Sequence, residues 1–178
     1  MERQILNFIQ QYLVNPVLTA VMIFFTTIVE HGEIWILMGI IMLITKKYRK
    51  TGLLILIALI VSFSCGELLI KNFVCRPRPF LENPDIQLLI SPPHGYSFPS
   101  SHTVVSFASA TVIFCFNKKL SVFAYIVAAL VAFSRMYLYV HYPTDVLCGA
   151  LLGVICALAV VCVYKLIMRK ITMKKSPG

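Results

Sequence analysis

The chain has 178 residues, of which 59% are hydrophobic and only 13% are charged. A soluble domain of this length needs far more polar surface, so the composition excludes an ordinary soluble protein and predicts an integral membrane protein. The net charge of +9 would suit a nucleic-acid partner. However, the basic residues flank apolar segments, which is typical of membrane topology rather than of nucleic-acid binding.

Residues 1–15 mix apolar side chains with Asn and Gln ahead of Pro16, which predicts an interfacial amphipathic helix or an extension of the first span. Six apolar segments follow, and we expect each to form one membrane-spanning helix. They cover residues 17–29, 34–45, 51–66, 103–117, 120–134 and 146–164. Several are shorter than the roughly 20 residues of a full span, and the polar motifs beside them supply the missing turns. The expected architecture is an all-α, polytopic membrane protein whose six-helix bundle forms one domain over residues 1–178.

The longest break between the predicted spans is residues 72–98, between the third and fourth helices. It contains five prolines, which forbid a continuous helix. They are Pro77, Pro79, Pro84, Pro92 and Pro93. We expect this segment to form an outer loop that acts either as a substrate rim or lid or as a passive connector.

The basic residues predict the orientation of the chain in the membrane. If the six segments all cross, 12 of the 16 Lys and Arg residues lie on one side, counting Arg3. The other side holds Lys71, Arg76, Arg78 and Arg135. Because positive charge accumulates on the cytoplasmic side, both termini are expected to be cytoplasmic and the polar motifs extracytoplasmic, in a cell membrane.

The six cysteines do not indicate a disulfide framework or a zinc site. Five of them lie in or beside apolar segments, only Cys75 lies in a predicted loop, and no CxxC pair occurs. Buried small hydrophobic residues are the better interpretation. The acidic residues are also too few and too scattered to predict a magnesium cluster.

The first polar motif is Lys71 with Arg78, at the end of the third predicted span. Both could be cations that anchor a helix end, but Arg78 lies between two prolines, which hold its forked donors rigidly for phosphate oxygens. Arg76 could do the same, and spacing does not choose between them. Glu67 lies four residues before Lys71 on one helical face and could pair with it.

The second motif, residues 99–102, opens the fourth predicted span. Ser100 and Ser101 lie where the free N–H groups of a helix start form an anion site, although a simple serine N-cap is the alternative. His102 adds a titratable group directly behind them.

The third motif contains Arg135, His141 and Asp145. Tyr142-Pro143 favours a helix that starts just after His141, so that Asp145 reaches back to one ring nitrogen. Such a carboxylate fixes the tautomer and leaves the other nitrogen as a nucleophile, whereas the alternative is a purely structural His–Asp pair. Ionisable groups beside membrane spans are usually functional. Cations that hold phosphate together with two histidines predict phosphoryl chemistry on a lipid.

These motifs resemble those of the phosphatidic acid phosphatase type 2 superfamily of membrane lipid phosphatases. That family has a lysine, six residues, then Arg-Pro; next Pro-Ser-Gly-His; then Ser-Arg, five residues, His, three residues and Asp. The first and third pieces match in full, through Lys71 and Arg78 and through Arg135, His141 and Asp145. In the middle piece Ser101 replaces the glycine.

The resemblance implies that His141 is a nucleophile forming a phosphohistidine, oriented by Asp145. His102 would protonate the leaving oxygen and later activate water. The groups implied to bind phosphate oxygens are Lys71, Arg78, Ser100 and Arg135. We expect Ser101 to keep the backbone donor that the family glycine supplies, and neither metal nor cofactor is implied.

Compact members of the family resemble bacterial undecaprenyl diphosphate phosphatases. The expected reaction is therefore hydrolysis of undecaprenyl, or another polyprenyl, diphosphate to the monophosphate, in cell wall biogenesis. The alternative substrates are phosphatidylglycerophosphate and phosphatidic acid. A lipid or anion transporter or flippase is the alternative of another class, which the lack of an evident inverted repeat disfavours. The expected partners are a lipid phosphate and the bilayer, and the sequence does not give the oligomeric state.

Overall fold

The computed structural model describes residues 1–83 and 85–174, and the regular secondary structure within them is helical. Within these residues there are eight α-helices, one π-helical segment and one short 3-10 turn. The α-helices are α1 Glu2–Tyr12, α2 Pro16–Thr27, α3 Glu33–Ile44, α4 Arg49–Phe63, α5 Lys71–Val74, α6 Ser101–Phe116, α7 Lys118–Tyr137 and α8 Pro143–Lys174. The π-helical segment Ser64–Ile70 joins α4 directly to α5, and the 3-10 turn is Pro79–Glu82.

Three stretches in the described part of the chain are long and apolar enough to cross a membrane. These are Arg49–Glu82, Lys118–Tyr137 and Pro143–Met173. Three shorter apolar helices, Pro16–Thr27, Glu33–Ile44 and Ser101–Phe116, accompany them. The architecture is that of a multi-pass, all-helical membrane protein, as the composition predicts.

Asparagine side chains set two of the helix starts. The Asn15 side chain accepts a hydrogen bond from Leu18 N (2.9 Å), and Pro16 follows in the first turn, where its missing N–H costs nothing. Asn117 caps α7 in the same way through Leu120 N (3.1 Å). The break at Asn15 makes α1 a separate helix rather than an extension of a first span.

Helix α6 lies at the centre of the bundle, packed against α4, α7 and α8. The approach of α8 is close because of two glycines. A Cβ at Gly153 would lie 2.3 Å from the carbonyl oxygen of Val104, and one at Gly149 would lie 3.0 Å from that of Ser100. The Gly149–Gly153 pair therefore serves packing inside this chain, because only glycine leaves room for the neighbouring backbone.

The position of α1 and α2 corrects the predicted topology. Thr19 Oγ1 of α2 lies 2.8 Å from the hydroxyl of Tyr137, at the end of α7, and Thr26 near the other end of α2 accepts a hydrogen bond from Arg135. Both ends of α2 thus contact the same end of α7, and the count of six spans is not confirmed.

The N-terminus also lies at the motif end of the bundle. Glu2 of α1 accepts hydrogen bonds from Arg76 (2.6 Å) and from Thr144 N (3.1 Å), and Arg3 forms an ion pair with Glu82. The prediction that the N-terminus lies on the face opposite the motifs is therefore wrong. The charge count considers only sequence position, and it therefore groups Arg3 with the other basic clusters. In the structure Arg3 instead pairs with Glu82, which is 79 residues away.

Candidate active site

A cavity of about 750 Å³ opens at the end of the bundle where α4–α5, α6 and α7 meet the loops. Six of the eight predicted site residues line it. They are Lys71, Arg78, Ser101, His102, Arg135 and His141. The other two, Ser100 and Asp145, are fully buried behind the wall of the cavity. Residues from three separate motifs are thus brought to one place.

Lys71 is held at the cavity by two side chains. The π-helical segment carries Glu67 one turn before it, and Lys71 Nζ donates to Glu67 Oε2 at 2.5 Å and to Ser101 Oγ at 2.9 Å. The hydroxyl of Ser101 in turn donates to Glu67. The Glu67–Lys71 pair expected from the spacing is present. The serine that stands in place of the family glycine joins this pair to α6.

Arg78 is 4% exposed, and backbone carbonyls fix its guanidinium. Nε donates to Gly95 O (3.0 Å), Nη2 to His94 O (2.9 Å), and Nη1 to Val140 O (3.2 Å). These carbonyls belong to the loop before α6 and the loop after α7, so the guanidinium of Arg78 ties the two loops together.

Arg135 is equally buried, at 4% exposure. Its Nη1 donates to Thr26 Oγ1, whereas its Nε is buried and has no hydrogen-bond partner among the described residues. A buried guanidinium donor without a partner is costly, and an anionic oxygen is the partner that such a group takes most strongly. Arg135 is thus a cation that lines the cavity and that keeps one buried donor without a partner among the described residues.

Helix α6 starts at Ser101, with Ser100 in the N-cap position. The Ser100 side chain makes no cap hydrogen bond; its hydroxyl accepts one from Thr103 (3.0 Å), and its N–H donates to the carbonyl of Asp145 (3.1 Å). The expectation of a free N–H at Ser100 is therefore wrong, and so is the simple serine N-cap. His102 follows in the first turn and faces the cavity.

The tautomer of His141 follows from its neighbour. Arg78 Nη1 lies 3.3 Å from His141 Nε2. Because an arginine only donates, Nε2 must accept, so Nδ1 carries the proton of the neutral ring. Burial first, and then the charges of Arg135 and Arg78, lower the pKa of His141 to about 3, although Asp145 opposes them. The ring is therefore neutral near pH 7, with the lone pair of Nε2 directed at Arg78, which also lines the cavity.

Asp145 lies behind the other ring nitrogen. Its Oδ2 is 3.6 Å from His141 Nδ1, longer than a hydrogen bond, and accepts from Ser97 Oγ at 2.5 Å and from Tyr142 N at 2.8 Å. Ser97 Oγ is itself 3.4 Å from Nδ1. Sequence reasoning missed Ser97, and its place two residues before the second motif was the one available signal.

Within residues 1–83 and 85–174, no group of three or more His, Cys, Asp or Glu side chains is arranged to hold a metal ion. The cavity instead presents side chains suited to an anion, with Lys71, Arg78 and Arg135 on its wall. The metal-free and cofactor-free chemistry expected from the sequence stays a prediction.

Comparison with known proteins finds relatives of similar sequence and solved structures of similar fold. The chain is 36% identical over 121 residues to an undecaprenyl-diphosphatase of Sulfolobus acidocaldarius, a match covering 67% of this chain and 58% of that protein. Its fold is similar to the crystal structure of Aquifex aeolicus LpxE, with a TM-score of 0.80 at 27% identity, over 90% of this chain and 94% of that one. A transmembrane PAP2-type phosphatidylglycerolphosphate phosphatase of Bacillus subtilis is also similar, with a TM-score of 0.69 at 27% identity, over 86% of this chain and 80% of that one.

The matched region contains every site residue that the sequence predicts. The family model described as the PAP2 superfamily matches residues 50–169, which include all three motifs and the helices that carry them. The motifs, the cavity and this match together show that the chain belongs to the PAP2 superfamily.

Proposed function

We propose that this protein hydrolyses a membrane lipid phosphate or diphosphate in the cavity described above. The observation that supports this most strongly is the convergence of three cations, Lys71, Arg78 and Arg135, and of two site histidines, His102 and His141, on the wall of one cavity. Positioned cations stabilise the charge of a phosphoryl group as it transfers, and this stabilisation usually contributes more to the rate of such reactions than any other single effect.

The proposed reaction has two steps. Nε2 of His141 attacks phosphorus, an N–P bond forms, and the P–O bond to the leaving group breaks while His102 gives that oxygen a proton. A water molecule then attacks the phosphohistidine, His102 takes a proton from it, and the N–P bond breaks to release inorganic phosphate. The negative charge of Asp145, 3.6 Å from Nδ1 of His141, favours a proton on that nitrogen throughout, and no metal takes part.

The substrate that we favour is undecaprenyl or another polyprenyl diphosphate, converted to the monophosphate. The similarity to the Sulfolobus undecaprenyl-diphosphatase supports it. Phosphatidylglycerophosphate or phosphatidic acid is the second candidate, which the similarity to the Bacillus structure favours. Phosphate release from each purified lipid in the same detergent distinguishes them. Release from the glycerolipid with negligible release from polyprenyl diphosphate would reverse this order.

We further propose that the site faces the extracytoplasmic side. When Arg3 is left out of the twelve predicted cytoplasmic cations, eleven of the sixteen Lys and Arg residues remain on that side. They lie in the sequence clusters at residues 46–50, 118–119 and 165–175. The positive-inside rule then makes the C-terminus cytoplasmic and leaves α1 and α2 on the outer side. An impermeant maleimide should label Cys75 in intact cells and should not label Lys118→Cys, each as a single-cysteine protein. Labelling in the reverse order would contradict the orientation.

Substitution of the nucleophile separates an enzyme from a transporter. In His141→Ala we expect hydrolysis to fall at least about a thousandfold while lipid binding is largely kept, as for the loss of a nucleophile. Vanadate, which adopts the five-coordinate geometry of the transferring group, should inhibit, and EDTA should not. Full hydrolysis by His141→Ala, or activity lost in EDTA and restored by metal, would contradict the proposal.

A further inference from the structure

Arg76 is a cation close to the site, and the spacing of the first motif does not decide whether it binds phosphate. Its guanidinium does not line the cavity. Instead, Nη1 donates to Asp145 Oδ1 and to Thr144 Oγ1, both at 2.7 Å, and the group lies 3.9 Å from the centre of the Tyr142 ring. Arg76 is therefore directed at the back of Asp145, away from the face that would hold phosphate.

Both oxygens of the Asp145 carboxylate are fixed by donors. Oδ2 takes hydrogen bonds from Ser97 and from Tyr142 N, and Arg76 supplies the hydrogen bond to Oδ1. The Asp145 side chain is 0% exposed. Removal of the guanidinium would therefore leave a buried carboxylate oxygen short of its charged partner, free to turn away from the ring that it orients.

Helix α1 holds Arg76 from its other side. Glu2 Oε2 accepts from Arg76 Nη2 at 2.6 Å, and Glu2 Oε1 accepts from Thr144 N (3.1 Å) and Thr144 Oγ1 (2.6 Å) at the start of α8. Burial opposes the charge of Glu2, but the hydrogen bonds from Thr144 and Arg76 outweigh it and lower the pKa of this carboxyl. The charged Glu2 also lies where the N-terminus of α8 favours an anion.

We propose that Arg76 is a positioning residue, held by Glu2 of α1, that fixes Asp145 and through it the ring of His141. The chain thus runs from Glu2 to Arg76, to Asp145 and to His141, and it links a helix outside the matched family region to the proposed nucleophile. This inference rests on the proposed function. It assigns Arg76 no contact with the phosphate and no proton transfer.

The test compares kcat, KM and the vanadate inhibition constant across variants of the full chain. For Arg76→Met we expect kcat to fall about 30- to 100-fold, because small misplacements of a reacting group cost about a hundredfold. KM and the vanadate constant should stay within about threefold, since the phosphate ligands are untouched. Arg76→Lys should recover at least about a tenth of the wild-type kcat. Arg3→Gln, on the same helix as Glu2 and 58% exposed at its side chain, is the matched control and should stay within about twofold.

The coupling through Glu2 gives a second readout, which remains available if Arg76→Met fails to fold. Glu2→Gln should lower kcat about three- to tenfold with KM unchanged, and adding it to Arg76→Met should lower kcat by less than about twofold more, because the two residues act through one carboxylate. A vanadate constant raised tenfold in Arg76→Met would make Arg76 a phosphate ligand and overturn the inference. Wild-type kcat in Arg76→Met, or in Glu2→Gln where Arg76→Met does not fold, would overturn it as well.

One further variant distinguishes failure of this inference from failure of the proposed function. If His141→Ala is inactive while Arg76→Met has wild-type kcat, the positioning role alone is wrong. If His141→Ala hydrolyses at the wild-type rate, the proposed nucleophile is wrong and the chain leading to it has no role in the reaction.

Discussion

Arg78 Nη1 lies 3.3 Å from Nε2 of His141, and the same nitrogen donates to the carbonyl of Val140 in the residue before it. One guanidinium therefore sets the tautomer of the ring and the position of its backbone. This contact places the lone pair of the proposed nucleophile on the side of Arg78, away from Asp145.

Arg78→Lys should be far from a conservative change. A lysine keeps the charge but cannot reach the carbonyls of His94, Gly95 and Val140 and the ring of His141 together. We expect kcat/KM to fall on the order of a hundredfold and vanadate to bind more weakly. Both are measured on the purified protein, with Arg3→Lys as the control of equal chemistry. An Arg78→Lys protein within threefold of wild type in kcat/KM would show that the fork geometry is unimportant.

The buried state of His141 predicts an unusual pH profile. Histidine chemistry at its ordinary pKa would make activity fall between pH 7 and pH 5. Burial, with Arg135 and Arg78, lowers the pKa of His141 to about 3, so the neutral ring is present above about pH 3 and is lost only below it. We expect kcat/KM, which reports the free enzyme, to show no acid limb between pH 8 and pH 5 once substrate ionisation is subtracted by phosphorus NMR. An enzyme acid limb near pH 6.5 would contradict this assignment.

Ser101 stands where the family has glycine, and two variants separate the effect of its hydroxyl from the effect of its Cβ. Ser101→Ala removes the hydroxyl that contacts Glu67 and Lys71 and keeps the Cβ, whereas Ser101→Gly removes both. Because Lys71 keeps its direct bond to Glu67 at 2.5 Å, we expect both variants to change kcat/KM by less than about tenfold, in line with one or two hydrogen bonds. A tenfold or greater rise in Ser101→Gly would show that the serine is not tolerated but inhibitory.

The glycine contact between α8 and α6 should control stability. In Gly153→Ala the new Cβ would lie 2.3 Å from the backbone oxygen of Val104, so the helices must separate, at a cost of about 1–3 kcal/mol. Activity should fall too, because α6 carries His102 and α8 carries Asp145. Gly66→Ala is the matched control, since its nearest neighbour would be at 3.6 Å. The thermal midpoint in detergent measures both, and equal midpoints would show that the contact does not limit packing.

Local signals in the sequence are sufficient for much of this architecture. Apolar runs predict the helices, and motif spacing predicts the Glu67–Lys71 pair and a helix beginning just after His141. Both features depend on residues that are close in sequence. The Asn117 cap at the start of α7 is local in the same way.

The parts that sequence reasoning missed depend on distant contacts. Ser97 reaches Asp145 across 48 positions, and Arg76 reaches Glu2 across 74. The location of α1 depends on the same kind of contact, since Arg3 pairs with Glu82. A rule that counts charges along the chain does not register such pairs. For this reason it places the N-terminus on the wrong side of the bundle. Motif spacing, in turn, leaves Arg76 and Arg78 as equal candidates for binding phosphate.

The most direct test of the account is to trap the covalent intermediate. Wild-type protein mixed with a lipid diphosphate carrying ³²P at its terminal phosphate, then quenched in alkali within milliseconds, should hold label that is stable in base, labile in acid, and located by peptide mapping at His141. His141→Ala should hold none, while in His102→Ala both the formation and the loss of label should be slower, because His102 serves both steps. Label at another residue, or rapid turnover by His141→Ala without label, would contradict the central claim.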